Sequence, residues 1–263
     1  MQARFKHLML KLFKANGPGV IDKVLEKVGP KLDAKASKAE DDEFDAEEFV
    51  DGLDLDFFEA VPGIAEPILK RAARNSSRQA YVQVGGNLKD VLAQVDEAAI
   101  AWAHDHAAEM VGRKWVEGEL VDNPNAEYSI EESTRTMLRE KIEEALEKGW
   151  TRDQLANEIE SDIFSADRAE LIAQTELLDA HYTSNMEGWR ASGAVKGKKS
   201  LLSDDHEGTD ECDTNAEQGV IDIDEDFDSG DDAPPFHPHC FCTVVAVLEP
   251  LAKGAESEED DEE

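Results

Sequence analysis

Nowhere in this 263-residue chain is there an apolar run approaching the roughly 18 residues of a membrane span, which excludes a transmembrane helix. The apolar-leaning stretch near the N-terminus is cut by Lys11 and Lys14, so it does not read as a signal peptide. Cysteine is scarce: three residues, an odd number, with Cys240 and Cys242 separated by one position. That argues against a disulfide framework and excludes a secreted, disulfide-knotted domain. Aromatic residues make up only 6%. Several catalytic signatures are missing: H-E-x-x-H, a P-loop, G-x-G-x-x-G after a strand, G-x-S-x-G, and the H-x-E with P-C-x-x-C of zinc deaminases. Positive charge is also short, with 27 Lys and Arg against 61 Asp and Glu for a formal net of −34, which excludes a generally basic nucleic-acid coat.

What is present is distributed unevenly. Residues 1–38 carry nine basic and three acidic side chains, a net of +6, which leaves −40 for residues 39–263. Lysine is rare beyond residue 38, and the acids are spread over helices and loops alike. Such a body repels DNA and anionic membranes at ordinary salt, and it repels itself. At 1 M salt the Debye length falls to about 3 Å and the self-repulsion is largely screened. The composition reads as an adaptation to high salt, the alternative being an acidic protein with disordered acidic loops.

The length suits one elaborated domain or two small ones. Residues 1–16 read as a basic amphipathic helix with Phe5, Leu8, Met9, Leu12 and Phe13 at helical spacing, ended by Gly17-Pro18-Gly19. It serves either as a docking helix or as a peripheral helix of its own domain, and a truncation lacking residues 1–38 is expected to keep the fold. Residues 33–56 read as an acidic linker. Helices are expected from about Glu66 to Val84 and from Asn87 to Val111, where Leu88, Val91, Leu92 and Val95 hold core spacing. Residues 113–128 read as a loop. Three further helices follow: one to Lys148 capped by Ser129 or Ser133 and stopped by Gly149, one over 152–163 capped by Thr151, and one over 168–192 capped by Asp167. Strands are expected at Lys198–Ser203, around Val220-Ile-Asp-Ile, and at Thr243–Leu248. Residues 204–232 hold 14 acids and no base; the run Asp222, Asp224, Asp226, Asp228 lacks the Gly and Glu of an EF-hand and reads as a solvated loop.

The residues with most chemistry cluster late. In Pro234-Pro-Phe-His-Pro-His-Cys-Phe-Cys242, strand alternation points Cys240, Cys242, Val244 and Ala246 to one side. Four ligands drawn from His206, Cys212, His237, Cys240 and Cys242 could close a tetrahedral zinc site. The competing reading makes the cysteines plain core thiols. A Cys–His nucleophile pair, Cys240 with His206 or His237, can also be drawn, though acidic surroundings raise a thiol's pKa.

Taken in order, the helix Thr134–Thr151, the short helix RDQLANEIE, the run Arg168-Ala-Glu-Leu-Ile-Ala-Gln-Thr-Glu176, Cys212, Asn215-Ala-Glu-Gln-Gly219 and Pro235-Phe-His-Pro-His-Cys240-Phe-Cys242 resemble the phage Mu F-like minor head protein family, also called the phage head morphogenesis domain. Asn215 stands where that family has a second Cys or His, and the last motif reads C-F-C in place of C-R-C. The resemblance implies a minor, non-enzymatic structural protein of a tailed double-stranded DNA virus. It would sit inside the head near the portal, meet the portal and other head proteins, and be in the host cytoplasm during assembly. The ligand set carried over is Cys212, His237, Cys240 and Cys242, with His206 as a substitute and Zn as the cofactor.

The expected fold is α+β: a helical N-terminal region and helices packed on a small antiparallel C-terminal sheet. The expected divisions are 1–59 (basic helix and acidic linker), 60–128 (helical region), 129–250 (Mu F-like domain) and 251–263 (acidic tail). Residues 1–38 are the candidate grip on the portal or the packaged DNA. The rival reading is a small zinc- or thiol-dependent hydrolase built on His206, Cys212, His237 and Cys240.

Overall fold

The computed structural model describes residues 1–36, 44–86, 88–126, 129–204, 206 and 209–248. The acidic tail, the helix start at Asn87 and the side chains of Leu88, Val91, Leu92 and Val95 lie outside the described residues. The fold is α+β, with the elements α1 Gln2–Ala36, α2 Ala46–Asp51, α3 Val61–Gln83, α4 Leu88–Glu109, β1 Arg113–Val116, β2 Glu119–Asp122, α5 Ile130–Lys148, α6 Arg152–Glu158, α7 Ala166–Ser192, β3 Gly197–Leu201, α8 Glu211–Glu217, β4 Val220–Asp222 and β5 Thr243–Val247. They fall into two compact units, residues 1–72 with 100–177 and residues 73–99 with 178–263. No helix among the described residues is long and apolar enough to cross a membrane.

The first unit is helical. Its organising element is α1, which does not stop at Gly17-Pro18-Gly19 as its composition suggests but continues to Ala36. The reason is packing. Phe5, Met9, Phe13, Gly17, Val20, Val24, Val28 and Leu32 follow one another at three- and four-residue steps, and all are buried. Gly17 is the close approach in that stripe: a Cβ there would lie 2.8 Å from the Phe164 ring. Phe13 meets Phe58 and Phe164 edge-on, at centroid distances of 6.5 and 5.8 Å. A truncation lacking residues 1–38 would therefore remove core, contrary to the expectation that the fold survives it.

Sequence-legible caps hold the middle helices. Ser129 accepts from Glu132 N and Gly149 closes α5 in the left-handed conformation at φ 67°. Thr151 and Gln154 form a capping box on α6. Helix α7 begins earlier than expected, because Ser165 Oγ rather than Asp167 accepts the Arg168 N–H, at 3.0 Å. The stretch 113–128 is not all loop: β1 and β2 form a hairpin whose two-residue turn, Glu117-Gly118, has positive φ at both positions, 53° and 86°. Within the expected acidic linker, Asp45 caps α2, and Arg135 donates to the carbonyls of Val50 and Leu53.

Arg168 deserves its burial an explanation. Its guanidinium lies 5.7 Å over the Phe13 ring and donates to the Ile163 and Ile130 carbonyls and to the hydroxyls of Ser133 and Thr134. Burial lowers its pKa to about 10, still well above neutrality, so it works as a charged rivet between α5 and the start of α7.

The second unit holds a three-stranded antiparallel sheet in the order β4-β3-β5, with Lys198 opposite Ile221 and Ala246. Its core gathers Met186, Trp189, Val195, Ile221, Phe227, Phe236 and Val244 with all three cysteines. Lys198 on β3 is fully buried beneath this layer. It donates to the Asp232 carbonyl at 2.7 Å, pairs with the Asp232 carboxylate, and lies 5.2 Å from the Phe227 centroid.

Candidate metal centre

Three chain segments supply the late cluster, and local chemistry sets each one. The first is α8, a short helix inside a stretch that composition alone marks as acidic loop. Its signal is Asp210-x-x-Asp213, a capping box: Asp210 accepts from Cys212 N at 2.8 Å, while Asp213 Oδ2 accepts from Asp210 N at 3.0 Å. The helix delivers Cys212 inward, fully buried. Asn215, one turn on, is also fully buried, but its amide is spent elsewhere. It donates to Ser229 Oγ at 2.9 Å and accepts from Ser229 N at 3.1 Å, tying down the acidic loop.

The second segment is His206, whose Nε2 lies 3.0 Å from Asp213 Oδ2. That hydrogen bond holds the Asp213 carboxyl below the usual carboxylate range. The third runs from His237 to Cys242. Cys240 N donates to His237 O at 3.1 Å, closing a turn with Pro238 and His239 at its centre; His239 takes φ 64°, a conformation that favours glycine. The alternation anticipated from the sequence is present: Cys240, Cys242 and Val244 are buried while Phe241 and Val245 face out.

These pieces converge. Cys212 Sγ lies 3.7 Å from Cys240 Sγ and 3.1 Å from His237 Nε2. Ligand atoms of Cys212, His237 and Cys240 all lie within 4.8 Å of one another, and so do those of His206, Cys212 and Cys242. Cys212 belongs to both triads. His237 Nδ1–H donates to the Pro238 carbonyl at 2.7 Å, which turns Nε2 toward the Cys212 sulfur. Burial, with Cys240 and Cys242 adjoining, pushes the Cys212 thiol far up; burial also raises Cys242. Thiols so placed are poor nucleophiles near neutral pH. Beside them, Ser203, His206, Asp210, His237, His239, Phe241 and Cys242 line a surface cleft of ≈ 270 Å³.

The donor set fits a tetrahedral metal. Two sulfurs bound at 2.3 Å to one zinc stand about 3.8 Å apart, and a sulfur and an imidazole nitrogen about 3.5 Å. The observed sulfur pair has the first spacing, and the Cys212–His237 pair is slightly closer than the second.

Residues 136–245, from within α5 into β5, match the family model described as Phage Mu protein F like protein. Over those 110 of its 263 residues the chain is similar to the Mu F-like family. Every residue of the cysteine–histidine cluster lies inside the matched segment, as does the buried Arg168. Neither the curated proteins nor the solved structures contain a match to this chain. The matched segment supports a phage-head-related protein.

Proposed function

We propose that this Mu F-like protein is a minor structural component of a tailed double-stranded DNA virus head, associated with the portal vertex and acting in procapsid assembly, genome packaging or delivery. The match over residues 136–245 carries this reading, and the domain itself is taken to span about 129–250. Helix α1 supports a docking role. Its apolar stripe is consumed by its own unit, and its opposite side presents Arg4, His7, Lys11 and Lys14 at three- and four-residue spacing, all exposed. Arg4, Lys11 and Lys14 have no carboxylate partner among the described residues. On a chain of net charge −34 this is an island of opposite sign, roughly 15 Å long at 1.5 Å per residue. Such an island selects an acidic partner surface and speeds encounter with it. The acidic remainder keeps the molecule soluble in concentrated salt, where its self-repulsion is screened.

The test is the triple variant Arg4→Glu, Lys11→Glu, Lys14→Glu. These positions face outward, so thermal unfolding should not change, while co-purification with the portal ring should be lost. Unaltered portal capture by the variant would remove α1 as the docking element. Loss of steeply salt-dependent DNA retention with portal capture intact would assign the stripe to the genome instead.

A further inference from the structure

We propose that Cys212, His237, Cys240 and Cys242 bind one Zn²⁺ as a closed, four-ligand structural site that clamps the segment 209–242 onto the sheet of the second unit. The inference stands on the local geometry and is independent of the role in the virus head.

Three observations carry it. The first is convergence from separated positions. Cys212 comes from α8, and His237, Cys240 and Cys242 come from the turn leading into β5, yet Cys212 Sγ sits 3.7 Å from Cys240 Sγ and 3.1 Å from His237 Nε2. Cys242 Sγ lies within 4.8 Å of Cys212 Sγ, which makes it the fourth corner. His206 shares a triad with Cys212 and Cys242, but its Nε2 lies 3.0 Å from Asp213 Oδ2, and that contact takes it out of the ligand set.

The second is the orientation of His237. Its Nδ1–H donates to the Pro238 carbonyl at 2.7 Å, which turns Nε2 toward Cys212 Sγ at 3.1 Å, with Asp210 Oδ2 3.3 Å from the same nitrogen. The Pro238 contact is the outer-shell hydrogen bond that orients a ligating histidine.

The third is need. Between β3 and β5 the regular structure among the described residues amounts to seven residues of α8 and three of β4, in a stretch rich in mutually repelling carboxylates. A cross-link among positions 212, 237, 240 and 242 closes this segment on itself. Binding replaces three thiol protons with metal–sulfur bonds, so loading at neutral pH releases three protons to solvent per ion.

The experiment uses the full chain, purified without chelators and washed with excess Mg²⁺ to clear ions held loosely by surface carboxylates. Elemental analysis should find close to one zinc per chain. Replacement by Co²⁺ should give the intense visible bands and sulfur-to-metal charge transfer of a tetrahedral thiolate site. Cys212→Ser and Cys242→Ser should lose the stoichiometric metal, and His206→Ala should keep it. Because Cys212→Ser could misfold, His237→Gln provides a second reading: far-UV circular dichroism unchanged, cobalt spectrum lost or shifted. The proposal is overturned by absence of tetrahedral cobalt bands in the parent chain, by stoichiometric metal in Cys212→Ser, or by a coordinated water in the X-ray absorption spectrum. Loss of metal in His206→Ala with retention in Cys242→Ser would overturn the ligand set.

Discussion

The two units hold themselves together by different chemistry. In the first, the long stripe of α1 meets α5, α6 and the turn after it, and the centre is aromatic and aliphatic: Phe5, Phe13, Phe58, Leu138, Ile142, Leu155 and Ile159 are all fully buried. Arg168, buried beside them, has no carboxylate partner among the described residues and is solvated by two carbonyls and two hydroxyls. In the second unit the sheet is three short strands, and much of what surrounds it is acidic. There the buried centre mixes Phe227 and Phe236 with three thiols, and a fully buried Lys198 is matched by Asp232. A helix-rich unit can bury whole amphipathic faces, whereas a short-stranded, acid-rich one has little apolar surface to bury and relies on specific polar links.

That contrast can be broken in a graded series. The largest effect is expected from a strong chelator. If metal clamps the second unit, its removal should abolish amide-exchange protection over 209–242 and around β3, at a cost of up to about 10 kcal/mol. Protection of α1 and α5 should remain. Equal loss in both units would deny that the two are stabilised separately. Next comes Phe13→Ala, which empties a site packed by two rings and a guanidinium; chemical denaturation should show a loss of about 3–5 kcal/mol.

Asp232→Ala should cost about 3 kcal/mol, since it strands a fully buried Lys198. The same pair has a pH signature. Burial alone would raise the Asp232 pKa, but hydrogen bonds from Arg190 and Lys198 outweigh it and hold the group below 3.8. A depressed folded-state pKa means the stabilisation is complete above 3.8 and fades as pH falls through the lower folded value. Acid titration of the parent should therefore lose this increment below pH 3.8, and the Asp232→Ala protein should lack that part of the transition. A shared acid limb would show that the pair contributes nothing. The smallest effect runs the other way. His239→Gly relieves a left-handed backbone at the turn before Cys240 and should add about 1 kcal/mol without altering metal content.

How much of this could be read beforehand differs by element. Helices with strong caps and clean stripes were legible: Ser129 and Gly149 around α5, Thr151 before α6, and the β-branched run of β5 all lie where propensity puts them. The α1 stop at Gly17-Pro18-Gly19 was misread, because local breakers lost to a stripe that is buried on both sides of them. The hairpin at 113–122 was missed because Glu117 rather than Asn or Gly occupies its first positive-φ position. Helix α8 was hidden by its acidic composition, although Asp210 and Asp213 carry the capping signal. In the cluster, all five candidate residues were named from the chain, and Asn215 alone is accounted for differently: a buried polar tie to Ser229, not a gap in a ligand set.

Sequence by itself determined the charge balance, most helix boundaries, the alternation that turns Cys240 and Cys242 inward, and the order of motifs that marks a Mu F-like domain, because these depend on residue type and near-neighbour spacing. Only the tertiary structure decided that α1 is core on one side and a basic stripe on the other. It alone put Cys212 3.7 Å from Cys240 and set His237 Nε2 toward the sulfurs. Those facts depend on which distant segments share a buried volume, and chain spacing carries no information about distance across a fold.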